Sequence, residues 1–385
     1  MPLYLISALL HAYVGWRVVP ALAAWPVAQA LLLMTLVASA VLMPMGLGGR
    51  RGARGPWAER RVLAGLLFMG LFSSLFVLTV LRDVLLLLAV IAFAWRPAAL
   101  PVGPLREWTA VAVPLLGLLA TGLGFWNARR TAAVVRVDVP LANLPAGLHG
   151  FTVAQISDIH VGPTIKHGYL SAIVARVNSL GADMVAITGD LVDGRVPELA
   201  AHVAPLAQLR SRHGSYFVTG NHEYYSGAHA WIDELRRLGV QVLMNEHVVL
   251  RHGPLDRAVD DAALLVAGVA DYSAHQFDPA HRSDPQAALH GAPDHARVRL
   301  LLAHQPRSAA AAARAGFDLQ LSGHTHGGQF WPWNLFVRLQ QPFTAGLHRL
   351  DDLWVYTSRG TGYWGPPKRF GAPSEITLLR LVPAG

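Results

Sequence analysis

Four apolar stretches occupy the first 130 residues of the chain, and they constrain it more than any other feature. They run from about Leu3 to Leu22, Val27 to Met45, Val62 to Trp95 and Trp108 to Trp126. A membrane-crossing helix needs roughly 20 predominantly apolar residues, and each stretch supplies them. Trp25, Trp57, Trp95, Trp108 and Trp126 fall near the proposed ends, where interfacial aromatics belong. Pro114 lies inside the fourth stretch, where a membrane helix tolerates it with a kink. Arg82-Asp83 interrupts the third stretch, and only about a dozen residues follow before Arg96-Pro97, too few for a separate span. No Gly or Pro near Arg82 marks a hairpin, so one long helix is expected there. The Arg82-Asp83 pair reads as interfacial rather than as a functional pair inside the bilayer.

Charge follows the same division. Residues 1–130 hold 11 Arg, no Lys and three acids (Glu59, Asp83, Glu107), while the remainder holds 21 basic and 21 acidic residues. The whole net charge of +8 therefore flanks hydrophobic spans, as the positive-inside rule predicts. The balanced remainder has no basic run to track a phosphate backbone, so no nucleic-acid partner is expected. Residues 48–61 (GGRRGARGPWAERR) carry five Arg and form the loop expected on the cytoplasmic side. Two further spans return the chain to that side, and Arg129, Arg130 and Arg136 agree. The first segment lacks the basic start of a secretory leader and is followed by more spans.

The chain has no cysteine, which excludes disulfides, thiolate nucleophiles and Cys-based zinc sites. Seventeen of its 18 histidines follow residue 130, so the chemistry is sought there. From about Val134 short β-rich runs alternate with helical stretches. Strands are predicted at 151–157, 184–189, 215–220, 264–268, 299–304, 319–323 and 353–358, with helices at 168–180 and 231–239. Residues 271–297, rich in Asp, His and Pro, read as a loop. The expected order is a transmembrane region over 1–130, a linker and first strand over 131–149, and an α/β domain over 150–385.

Clusters of metal-ligand residues follow five of those strands: Asp158-Ile159-His160, Gly189-Asp190, Gly220-Asn221-His222-Glu223, His304, and Gly323-His324-Thr325-His326. Each alone is a weak signal. Five in series, each after a predicted strand, are hard to obtain by chance, because strand ends are where binding loops converge in α/β sheets. An oxygen and nitrogen ligand set without thiolate suits Mn²⁺, Fe or Zn²⁺.

This series resembles the calcineurin-like metallophosphoesterase superfamily, with its pattern D-x-H, G-D, G-N-H-[DE], H, G-H-x-H. QISDIHVGP, ITGDLVDG, GNHEYYSG, LSGHTHGGQF and SRGTGYWGPPKRFGAPSEITLL are similar to its membrane-associated bacterial branch, over about residues 145–382. The resemblance implies a metallophosphoesterase β-sandwich flanked by helices, here preceded by an all-α transmembrane helix bundle. It implies two divalent ions, the first on Asp158, His160, Asp190 and His326, the second on Asp190, Asn221, His304 and His324. Asp190 would bridge them, and His222 would protonate the leaving oxygen or stabilise developing charge.

The resemblance further implies a lipid-linked or nucleotide-lipid phosphoester substrate, such as UDP-2,3-diacylglucosamine of lipid A synthesis or a phospholipid, in a bacterial inner membrane. Hydrolysis of soluble or cyclic nucleotides and an inactive membrane sensor stand as alternatives, though the complete ligand set argues against the sensor. Asp193 reads either as a residue orienting a ligand histidine or as an exposed loop acid. Arg359 reads either as a phosphate contact or as a structural ion pair. Phe330, Trp331 and Trp333 form either an apolar lip or core packing, and Tyr224 and Tyr225 either line the site or pack. His213, His229, His252, His281 and His295 read as surface residues.

Overall fold

The computed structural model describes residues 2–49, 55–95, 102–252 and 263–385. The basic loop 48–61 is thus described only in part, and Arg96-Pro97 lies outside the described residues. Internal contacts divide the chain into two units: Met1–Arg129 with Gly365–Phe370, and Arg130–Trp364 with Gly371–Gly385.

The first unit is helical. Helices α1 (Pro2–Val18), α2 (Pro26–Gly49), α3 (Pro56–Trp95) and α4 (Val102–Arg129) coincide with the four apolar stretches. With its first helix extended by a short turn to Leu22, each is long and apolar enough to cross a membrane. The third stretch is indeed a single helix of 40 residues. Twenty residues of it, from Val62 to Leu81, already span about 30 Å, the thickness of the hydrocarbon core. A polar network stands where that length ends. Asp83 accepts from Arg17 Nε at 2.8 Å and from the Tyr13 hydroxyl at 2.7 Å, while the buried Arg82 donates to the Arg17 and Arg106 carbonyls. Small residues bring α2 and α3 together: a Cβ on Gly65 would collide with the Leu42 carbonyl and the Gly46 backbone. Within this unit Lys368 Nζ donates to the Gly70 carbonyl and the Ser74 hydroxyl, and the Arg369 amide donates to the Gly124 carbonyl.

The second unit is a two-sheet α/β domain. Its strands are β1 (Ala133–Leu141), β2 (Thr152–Ile156), β3 (Met184–Ile187), β4 (Ser215–Phe217), β5 (Gln241–Val242), β6 (Glu246–Arg251), β7 (Ala263–Gly268), β8 (Val298–Leu302), β9 (Leu319–Ser322), β10 (Gly346–Leu350), β11 (Leu353–Thr357) and β12 (Glu375–Pro383). One sheet has the order β1-β12-β2-β3-β4-β5, the other β10-β11-β9-β8-β7-β6. Strand alternation explains the layers. Val153, Met184, Ala186 and Tyr216 of the first sheet meet Leu264, Val266, Leu300, Leu302 and Leu321 of the second in one core. The intervening residues Leu265, Ala267 and Leu301 face the other way, onto α9 (Ala309–Ala315) and Phe317. Both faces of β7 are covered, so this strand reads as a continuous apolar run. Helix α5 (His167–Asn178) buries Leu170, Ile173, Val174 and Val177, and α6 (Val196–Val203) buries Leu199 and Val203. Helices α7 (Asn221–Ser226) and α8 (Ala228–Arg237) follow β4. Strands β2, β3 and β4 are mutually parallel, as are β7, β8 and β9, so each set delivers its following loops to one edge.

Candidate metal centre

Those loops carry the five motif clusters. The loops after β2 and β3 run on side by side, the Asp158 amide donating to the Gly189 carbonyl and the His160 amide to the Asp190 carbonyl. The chain then turns sharply. Asp158, His160, Asp190, His324 and His326 all have φ between +51° and +69°. Non-glycine residues seldom adopt that region, and they hold it where the surrounding structure fixes them. Here the turns aim five side chains inward.

Among the described residues, Asp158, His160 and His326 converge in one group of donor atoms, Asp190, His304 and His324 in another, and His160 also meets Asp193 and His222 in a third at the rim. Asp190 Oδ2 looks into the first two, lying 3.2 Å from His304 Nε2 and 3.9 Å from His160 Nε2. Its Oδ1 accepts the His222 amide at 2.8 Å. His160 and His326 set their Nε2 atoms 3.0 Å apart, and His324 Nδ1 is 3.2 Å from His304 Nε2. Such ring pairs need a shared proton or a cation between them. A tetrahedral ion with bonds of roughly 2.0–2.1 Å would separate its ligand nitrogens by about 3.3 Å. Among the described residues Asn221 Oδ1 is buried without a hydrogen-bond partner. A buried carbonyl oxygen left unpaired is costly, and a cation would satisfy it. The residues present therefore fit a metal centre without thiolate.

Supporting bonds orient the rings. His304 Nδ1 donates to the Thr188 carbonyl at 2.8 Å, which frees its Nε2. Asp193 Oδ1 lies 3.1 Å from His160 Nδ1 and 2.5 Å from His222 Nδ1. Asp193 is thus held against the His160 and His222 rings rather than standing as an exposed loop acid. The His324 amide donates to both Asp158 oxygens at 3.0 Å, and the Ser157 hydroxyl adds a third bond at 2.6 Å. Gly323 makes this approach possible, since a Cβ there would run into Ser157 Oγ and Asp158 Oδ2. Gly323→Ala should displace the Asp158 carboxylate and lower bound metal and activity by roughly 10–100-fold, the cost typical of disturbing a ligand's support. Metal analysis beside a thermal melt checks this, and unchanged metal content would refute it.

Electrostatics match the geometry. Burial alone would raise Asp190, but His304, His222 and His160 hold it well below the usual carboxylate range. Burial and His304 pull His324 down to about 3. For His222, burial pulls downward, yet Asp190 and Asp193 outweigh it and raise the ring above its ordinary value.

His222 itself sits at the rim. Its Nε2 is 4.0 Å from Asp190 Oδ2, and its ring packs edge-on against His160, Tyr225 and Trp364. Glu223 had no assigned role in the sequence, and the structure supplies one. Fully buried, it accepts the amides of Gly220, Asp190, Leu191 and Val192 and so clasps two site loops together. Burial and Asp190 push its carboxyl up to about 8 while the amides pull the other way. Arg359 is an ion-pair residue, with Nε 2.6 Å from Glu375 Oε2. Tyr225 lines the site, whereas Tyr224 turns away to His281. Phe330 is buried, but Trp331 and Trp333 are exposed. His213 and His252 pack on Phe151 rather than standing free.

The family model for calcineurin-like phosphoesterases matches residues 151–328. A "Transmembrane protein with metallophosphoesterase domain" from Bos taurus is 42% identical over 302 residues, covering 76% of this chain and 67% of its own length. An "Uncharacterized metallophosphoesterase" from Aquifex aeolicus is 30% identical over 66% of this chain and 92% of its own. The chain thus spans about two thirds of the bovine relative. Animal and bacterial relatives both appear, so the likeness is not confined to a bacterial branch. Among solved structures, a 5'-nucleotidase precursor from Thermus thermophilus overlaps with a TM-score of 0.39 at 15% identity, over 60% of this chain and 55% of that one.

Proposed function

This chain belongs to the calcineurin-like phosphoesterase family, a class of metal-dependent phosphoester hydrolases, and from that premise we propose that it is a membrane-anchored two-metal hydrolase of a lipid-linked phosphodiester or pyrophosphate. The observation that carries the reading is the pair of donor groups flanking Asp190, whose Oδ2 lies 3.2 Å from His304 Nε2 and 3.9 Å from His160 Nε2; the buried Asn221 oxygen, without a hydrogen-bond partner among the described residues, supports it. Asp158, His160, Asp190 and His326 would hold one divalent ion, and Asp190, Asn221, His304 and His324 the other. Bound there, Mn²⁺, Fe or Zn²⁺ would lower the pKa of a water and neutralise phosphoryl oxygens. Asp193 fixes the His160 and His222 rings, and Glu223 fixes the loop backbones. His222, raised in pKa and not committed to either donor group, delivers a proton to the leaving oxygen.

Support for a lipid-linked substrate comes from the rim. Trp331, Trp333, Leu335, Phe336 and Leu339 are exposed, as is Trp364, whose ring packs on His222. Gln329 ties this segment to Trp364 through two hydrogen bonds at 2.8 Å. An acyl chain would lie against these exposed apolar side chains. The test is hydrolysis by detergent-purified protein with Mn²⁺, first of a chromogenic aryl phosphodiester, then of diacylated and deacylated forms of one phosphodiester. Metal-dependent turnover with preference for the diacylated form is expected. Equal or faster turnover of water-soluble nucleotides would sink the lipid assignment and leave the hydrolase.

Sidedness follows from charge. Four spans with the Arg-rich loop inside would put the catalytic domain in the cytoplasm. The absence of cysteine makes this directly measurable. Asp352→Cys, at a fully exposed turn, should resist a membrane-impermeant maleimide in intact cells and react after permeabilisation. Labelling of intact cells would invert the topology.

A further inference from the structure

Outside the Asp190-centred cluster, a separate set of metal-ligating atoms converges where α8 meets the loop 271–297. His229 Nε2 lies 3.0 Å from Asp278 Oδ2, His281 Nε2 lies 3.9 Å from the same oxygen, and the three atoms are all within 4.8 Å of one another. We propose that His229, Asp278 and His281 form an additional binding site for a transition-metal ion of the zinc type, none of whose ligands belongs to the catalytic centre.

Each of the two inner ligands has its other polar atom already occupied. Asp278 Oδ1 accepts the Ala280 amide at 2.9 Å, which leaves Oδ2 pointing at the two histidines. His281 Nδ1 lies 2.9 Å from the Tyr224 hydroxyl. With Nδ1–H donating to that oxygen, Nε2 keeps its lone pair toward the site, the arrangement by which metal-bound histidines are usually oriented. Ring packing reinforces the pose: His281 stands edge-on to Tyr224, with centroids 5.7 Å apart, and 4.8 Å from the His229 ring.

Spacing and donor type indicate the ion. Tetrahedral bonds of roughly 2.0–2.2 Å put ligand atoms about 3.3 Å apart, and the observed 3.0 and 3.9 Å straddle that value. The His229 side chain is 72% exposed and free to close the remaining gap. Two imidazoles and one carboxylate favour Zn²⁺, Co²⁺ or Ni²⁺ over Mg²⁺ or Ca²⁺. An ion here would join three segments: α8 through His229, the loop through Asp278 and His281, and, through Tyr224, helix α7, which begins with Asn221 and His222. Phe277, packed against Tyr224 and Tyr225, already seats the loop on that helix.

The experiment counts metal. The whole chain, purified in detergent with a histidine-free tag and stripped by chelator, is titrated with Zn²⁺ and then with Co²⁺. His229→Ala, an exposed substitution, should bind one equivalent fewer than the parent protein, and His281→Gln should match it. Asp190→Asn should keep that equivalent while losing metal at the catalytic centre, so failure of one site is separable from failure of the other. The Co²⁺ absorption of a tetrahedral site should persist in Asp190→Asn and fall in His229→Ala. Equal stoichiometry in the parent protein and His229→Ala, with both metals, would overturn the proposal.

Discussion

Asp190→Asn is expected to fold as the parent protein does, to lose metal at the Asp190-centred donor groups, and to lose hydrolysis of an aryl phosphodiester by more than about 100-fold, the upper end seen when only a ligand's support is removed. The substitution is nearly isosteric. Asn retains an oxygen for the His222 amide, which Asp190 Oδ1 accepts at 2.8 Å, so the turn into α7 is preserved. What changes is Oδ2. It is the oxygen that lies 3.2 Å from His304 and 3.9 Å from His160, one histidine of each donor group. Replacing it with an amide nitrogen puts a donor where cations would bind and removes the charge that would hold two of them together. A carboxylate can serve two ions at the spacing of about 3.5–4 Å found in two-metal sites, and the neutral amide of Asn supplies neither the charge nor the second oxygen. Circular dichroism and metal analysis on the same sample separate folding from loading. Full turnover by a well-folded, metal-loaded Asp190→Asn protein would end the bridging role.

The candidate ligand series was legible because it is local. Each cluster sits in the few residues after a buried strand, and β2, β3, β4, β8 and β9 announce themselves as short apolar runs ending in Gly, Asp or His. The four long apolar helices were legible for the same reason, even to the continuity of the third. Other features depend on contacts between distant segments. Glu223 looks like a motif tail, and its clasp on the amides of 190–192 exists only in the folded domain. The ion pair of Arg359 with Glu375 and the seating of Trp364 on His222 are tertiary in the same way. Strand β5 has two residues and therefore no periodicity to read. Strand β12, which joins β1 to β2, lies in the C-terminal motif and was not recognised as a strand. The left-handed turns at Asp158, His160 and Asp190 use residues for which that conformation is not the default, so nothing in the residue types announces them. His229 and His281, 52 positions apart, look like isolated surface histidines until the loop folds back onto α8.

His222→Ala is the second large effect, and it differs in kind. The ring belongs to neither donor group built on Asp190: its Nδ1 faces Asp193, and its Nε2 stays 4.0 Å from Asp190 Oδ2 at the partly open rim. Removing it should leave metal content unchanged, because Asp193 still has His160 to orient. The rate should fall by roughly 10²–10⁴-fold, the usual contribution of a positioned acid or base. The loss should also depend on the leaving group. An aryl oxide departs without much help from a proton, whereas an alkoxide or sugar oxygen needs one, so the deficit should widen from aryl to alkyl diesters. A uniform loss across leaving groups would assign His222 to binding the phosphoryl oxygens instead of protonating the product. Loss of metal from the variant would make it a ligand, and the division of labour between Asp190 and His222 would have to be redrawn.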